Sequence, residues 1–166
     1  MTLLQSLFRQ KAAINEEFFA VIGQIDAGAQ ATERRALIRL MNHIHVVDSI
    51  FAGHLRGEPH GYDATNTPET PTLDALRDAV LASDRGYLEL IDALTAPQLA
   101  QAVDFTFTDG QHGRMSREEM LGHVITHGSY HRGEVGQMLK RISKAPPRDL
   151  FTAYLHRAEP QRRLSV

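Results

Sequence analysis

Apolar residues recur at helical steps along most of the chain. From Leu4, the positions Leu7, Ile14, Phe18, Ile22 and Ile25 share one face, interrupted once by Lys11, until Asp26-Ala27-Gly28 ends the pattern. A second run, Leu37, Leu40, Met41, Ile44, Phe51 and Leu55, opens where Thr32 or a neighbour can cap it, and stops at Gly57-Glu58-Pro59. Residues 57–71, rich in Gly, Pro, Asn and Thr, read as a loop. A third run starts at Thr70-Pro71-Thr72, with the proline in its first turn, and carries Leu73, Leu76, Val80, Tyr87, Ile91 and Leu94 to Thr95. Val103, Phe105 and Phe107 then alternate with polar residues ahead of Asp109-Gly110, which predicts a short β-ribbon near 102–112. Ser116 with Glu119 fits a capping box, and the helix it opens should run to about Arg141. Beyond Pro146-Pro147, a short C-terminal helix is predicted from Asp149 to His156, followed by a basic tail from Arg157 to Arg163.

Four long amphipathic segments predict an all-α fold, a four-helix bundle in one domain, 1–166. That length buries a core without metal or disulfide staples, so a bound metal would serve function rather than hold the fold. With 18 basic and 20 acidic residues the formal charge is −2, and no nucleic acid or membrane partner is expected. No apolar run has the length of a signal peptide or a membrane span, so the expected location is the cytoplasm. Cysteine is absent, which removes disulfides, thiolate zinc sites and a protein thiol nucleophile together. Metal ligation would have to use His, Asp or Glu.

The last long helix places His123, His127 and His131 at steps of four. His127 and His131 fall in the sector of Met120, Val124, Met138 and Ile142, the apolar stripe, and so point inward. As ordinary core residues they would need two separate hydrogen-bond partners, each worth about 1–3 kcal/mol if missing. One divalent ion satisfies both, and the i, i+4 pair is the spacing that helical metal sites use. A lone inward histidine is more often a hydrogen-bonded core residue, which suffices for His123, His54, His60, His112 and His156.

A third ligand would come from a facing helix. His43 and His45 lie on opposite shoulders of the second stripe, and rotation alone does not choose between them, although Val47 and Ile50 beside His43 favour it. Two carboxylates are candidate catalytic residues. Asp48, near the centre of its stripe, would orient a ligand imidazole or ligate directly, and Glu134, the other inward carboxylate, one turn past His131, would act as a base or anchor an imidazole unless it pairs with Arg132 or an arginine elsewhere. Gly122, Gly128, Gly133 and Gly136 read as close helix packing, Tyr130 as packing beside the stripe, and Arg114 and His112 as solvated residues near the ribbon turn.

Asn42-His43-Ile44 with Asp48-Ser49-Ile50-Phe51, and much later His127-Gly128-Ser129-Tyr130-His131-Arg132-Gly133-Glu134, resemble the DinB-like family of metal-binding four-helix bundles. The resemblance covers nearly the whole chain. It implies metal ligation by His43, His127 and His131, with zinc or nickel the expected ion and iron the next. Phe51 stands where the family commonly has tryptophan, and Glu134 where it commonly has glutamine. By the same resemblance the expected activity is a thiol-dependent transferase or isomerase reaction. The metal would activate a low-molecular-weight thiol such as bacillithiol or mycothiol toward a small-molecule electrophile, in a homodimeric, stress-response protein. Two other classes stay open at this level: a metal-dependent hydrolase using bound water, and a non-enzymatic, stress-induced metal-binding or interaction protein.

Overall fold

The computed structural model describes residues 1–164. Four long helices, α1 (Leu3–Gly23), α2 (Ala31–Arg56), α3 (Leu73–Ala93) and α5 (Arg117–Arg141), form the bundle, and a short α4 (Ala96–Leu99) leads from α3 into the ribbon. β1 (Ala102–Thr106) and β2 (His112–Ser116) pair antiparallel, with Ala102 opposite Ser116 and Thr106 opposite His112. α6 (Phe151–Ala158) and a 3-10 turn at Pro160–Arg162 close the chain.

The helix ends follow local chemistry. Thr2 and Gln5 form a capping box on α1, and Ser116 and Glu119 form another on α5, with the Ser116 N–H donating to Glu119 Oε2 at 2.7 Å. Thr32 does not cap α2. Asp26 Oδ1 accepts the N–H groups of Gly28 and Ala29, a tight turn that lets the helix begin at Ala31 and leaves Thr32 inside its first turn. Pro71 likewise lies outside α3, because the Thr72 hydroxyl accepts the Ala75 N–H and is itself the cap. Gly57 ends α2 at φ +71°, a left-handed conformation suited to glycine. The ribbon extends to Ser116, beyond the predicted 112, so its last residue is also the cap of the helix that follows.

The core is two apolar clusters. One gathers Ile14, Phe18, Ile22, Met41, Leu76 and Leu139, the other Phe8, Phe51, Tyr87, Phe105, Met120 and Val124, with further members in each. Along α1 and α5 the second cluster comes first, and along α2 and α3 the first does, so α1 and α5 run one way and α2 and α3 the other. α1 packs mainly on α3, and α2 on α5. Two successive helices with the same direction need a long crossover connection. Residues 57–72 are that connection.

Between the clusters lies a charged layer. The Lys11 ammonium donates to Asp48 Oδ2 at 2.7 Å and Asp84 Oδ1 at 2.5 Å, all three side chains being at most 3% exposed. Asn15 bridges Asp84 toward the buried Arg132, whose Nε donates to Asp149 Oδ2 at 2.8 Å. Lys11, the one interruption in the first apolar run, is therefore the centre of a deliberate polar contact among α1, α2 and α3. Replacing Lys11 with Met would leave two buried carboxylates facing each other without a cation. The expected loss is about 3–5 kcal/mol of unfolding free energy in a urea titration. Adding Asp48→Asn and Asp84→Asn to that variant is expected to recover much of it.

Candidate metal centre

The deepest line of α5 runs through Met120, Val124, Gly128, Arg132, Val135 and Leu139. His127 and His131 sit beside this line, half-buried, and face the cleft toward α2 rather than the bundle axis. The inward stripe expected from sequence thus divides in two: a fully buried seam and a shoulder that carries the imidazoles. Glycine at 128 belongs to the seam, since a Cβ there would lie 2.9 Å from Arg132 Nη1. Gly136 abuts Pro146 at ordinary contact distance, whereas Gly122 and Gly133 have open space where a Cβ would stand, so close packing does not account for them.

His43 is the histidine of α2 that reaches this shoulder. Its Nε2 lies 3.2 Å from His127 Nε2 and 3.2 Å from His131 Nε2. Among the described residues these three form the one group of three or more potential ligands whose donor atoms all lie within 4.8 Å of one another. His45 points elsewhere, with its Nδ1 buried and without a protein partner.

Two of the rings are fixed from behind. His43 Nδ1 donates to the Thr65 carbonyl at 2.7 Å, and His131 Nδ1 donates to Glu134 Oε2 at 2.6 Å. Acceptors that carry no proton place the imidazole proton on Nδ1, so both Nε2 atoms present lone pairs. Burial first and the neighbouring imidazoles second hold the His127 pKa down to about 3, so that ring is neutral. Lone pairs facing one another at 3.2 Å repel unless a cation lies between them. Two nitrogens each about 2.0–2.1 Å from a tetrahedral ion would be about 3.3 Å apart, so the spacing fits a divalent metal.

Several site residues take different places from those expected. Asp48 neither ligates nor orients an imidazole of the cluster. Its Oδ2 is taken by Lys11, its backbone carbonyl accepts the Tyr87 hydroxyl at 2.6 Å, and its side chain belongs to the charged layer. Glu134 is not inward but at the rim, its side chain 46% exposed, and there it takes one of its expected roles, anchoring His131, instead of pairing with Arg132. Tyr130 is 68% exposed and meets His131 with its ring edge, so it is not a packing residue. Arg114 pairs with Asp104 on the ribbon surface.

Other contributors escaped sequence reasoning. Thr65 acts through its backbone carbonyl, which leaves no trace in residue type. Asn42 carried a signal, an amide on an apolar face next to His43. It is buried, and its Nδ2 donates to Asn66 Oδ1 and Thr67 Oγ1, which fastens the crossover loop beside the cluster.

Fold and site together define a helical bundle with a three-histidine candidate metal centre in the cleft between α2 and α5. The family model for the DinB family matches residues 2–163, and the chain belongs to that family. No curated protein matches it.

The Glu134 contact carries a direct consequence. Glu134→Ala, which removes the acceptor behind His131, is expected to weaken divalent-metal binding at least tenfold in a chelator-competition titration. Glu134→Gln, whose amide oxygen can still accept, should lose less.

Proposed function

We propose that the protein holds one divalent ion, zinc or nickel, through Nε2 of His43, His127 and His131, and that it activates the sulfur of a small-molecule thiol toward an electrophilic cosubstrate. The observation that carries this reading is the convergence of the three Nε2 atoms, with those of His43 and His131 3.2 Å apart while both rings donate through Nδ1. DinB membership supports it. When bound, such an ion lowers the pKa of a thiol or water that shares its coordination sphere.

The chain's own residues set the conditions for that chemistry. Thr65 and Glu134 hold two ligands in the tautomer that keeps Nε2 free, which removes the cost of reorienting them on binding. Imidazole ligands carry no formal charge, so no ligating carboxylate offsets the ion at whatever occupies its open positions. Glu134 Oε2 is already committed to His131, and Asp48 to Lys11, so neither is a free base at the cluster. The chain contains no cysteine, and a thiol nucleophile must therefore arrive as a cosubstrate. Transfer and isomerisation both begin with attack of that sulfur on the electrophile.

The test is elemental analysis of protein purified without a histidine tag or added metal. About one equivalent of one metal is expected, lost in the His127→Ala, His131→Ala double variant while that variant stays folded by circular dichroism. The metal-loaded parent should then turn over activated electrophiles only when a low-molecular-weight thiol is added. Ester hydrolysis without thiol would replace the thiol reading with a bound-water hydrolase. Equal metal content in parent and double variant would overturn the site.

A further inference from the structure

The three imidazoles are one end of a longer row of rings. From His127 the ring centroids step to His123 at 5.5 Å, to Phe51 at 4.5 Å, to His54 at 6.0 Å and to His60 at 5.1 Å. His60 then lies nearly parallel to Tyr62, at 13° and 6.4 Å. Phe51 is buried, while the histidines and Tyr62 are half-buried, so the row runs along the edge of the core. His123 is two turns from His131 on α5 and His54 three turns from His43 on α2. At 1.5 Å per residue the far end lies roughly 12–16 Å from the cluster.

A cavity of about 440 Å³ occupies that far end, lined among others by His54, Glu58, His60, Tyr62, Asp63 and Thr106. Its chemistry has one sign. No lysine or arginine lines it, and among the described residues neither Glu58 nor Asp63 forms an ion pair. His60 Nδ1 accepts the Tyr62 N–H at 3.1 Å. Burial first, and then His60, hold the His54 pKa below the ordinary imidazole range. His54 Nε2 is sealed from solvent without a protein partner.

We infer that this cavity receives an organic cation, an ammonium or guanidinium group, at one end of a molecule whose other end reaches the three-histidine cluster. The link to the cluster rests on the metal reading above; the cavity's own preference does not. The Tyr62 ring face attracts a cation through its quadrupole, and two exposed carboxylates without an ion pair add to that attraction. A carboxylate or phosphate in the same place would meet Glu58 and Asp63 with no lysine or arginine to offset them. The cavity therefore selects by charge among molecules of similar length.

Two tripeptide thiols, N-acetyl-Cys-Gly-Lys-amide and N-acetyl-Cys-Gly-Glu-amide, both span roughly the required distance. With the cobalt(II)-loaded protein, the sulfur-to-metal absorption band reports ligation of each without any turnover. The lysine peptide is expected to bind about tenfold more tightly, and the Glu58→Gln, Asp63→Asn double variant should abolish the difference. Equal binding of the two, with the band present, would overturn the cavity and keep the metal reading. No band with either peptide would sink the thiol reading instead, and the cavity is then judged alone by NMR titration of the metal-free protein with benzylammonium and benzoate. Saturable shifts at His54 and Tyr62 with benzylammonium only would uphold it; equal effects, or none, would end it.

Discussion

The ion contacts of Lys11 with Asp48 and Asp84 set the register of the whole bundle. Burial alone opposes charge on Lys11, but the two carboxylates more than offset it and leave its pKa raised, so it stays an ammonium. Burial pushes the Asp48 carboxyl up, and Lys11 is the main influence pulling it back. The three groups tolerate the interior only together. Sliding α1 by one turn, about 5.4 Å, would put Lys11 among apolar side chains and strand both acids. Apolar contacts are far less selective, because one branched side chain replaces another with modest loss. The charged layer therefore supplies a vertical register that the two flanking clusters do not.

That register reaches the histidines through Arg132. Its guanidinium spends its donors on Asp149, Ser129 and Asn15, which ties α5 to α1 and to the segment before α6. His131 is its immediate neighbour, and the side chain of residue 128 is missing because the guanidinium passes there. The cluster sits at the height of the charged layer, on the opposite shoulder of α5, where a helix held at fixed height presents its imidazoles to His43. Crowding of polar groups at one level has a physical economy: the apolar clusters above and below remain free of them.

Much of this was legible in the residues. Period and caps located the four long helices, the ribbon and the C-terminal helix within a few positions, because each rests on local chemistry. The i, i+4 histidine pair announced itself for the same reason. What stayed hidden depends on contacts between distant segments. Asp48 lies where a ligand-orienting carboxylate would lie, and only the packing of α1 shows that Lys11 claims it. The place of Glu134 was misjudged because a helical wheel treats the stripe as one face, whereas α5 meets α2 with one shoulder and the bundle axis with its seam. α4 was missed because four residues carry too little period to read.

Topology accounts for the last feature of the cluster, the unequal support of its rings. With α2 and α3 parallel, the crossover must climb back along the bundle, and residues 57–72 pass the mouth of the α2–α5 cleft on the way. Asn42 pins that passage, and Thr65 thereby delivers a carbonyl to His43 that no residue of α2 could offer, since helical carbonyls are spent within the helix. His131, nearer the rim, takes its acceptor from Glu134 on the next turn of its own helix. His127, deeper and stacked against His123, has neither source, and its Nδ1 is buried without a protein partner. The same crossover lines the cavity at His54 and His60, so one connection, required by the order of the helices, both fixes the His43 ring and walls that cavity.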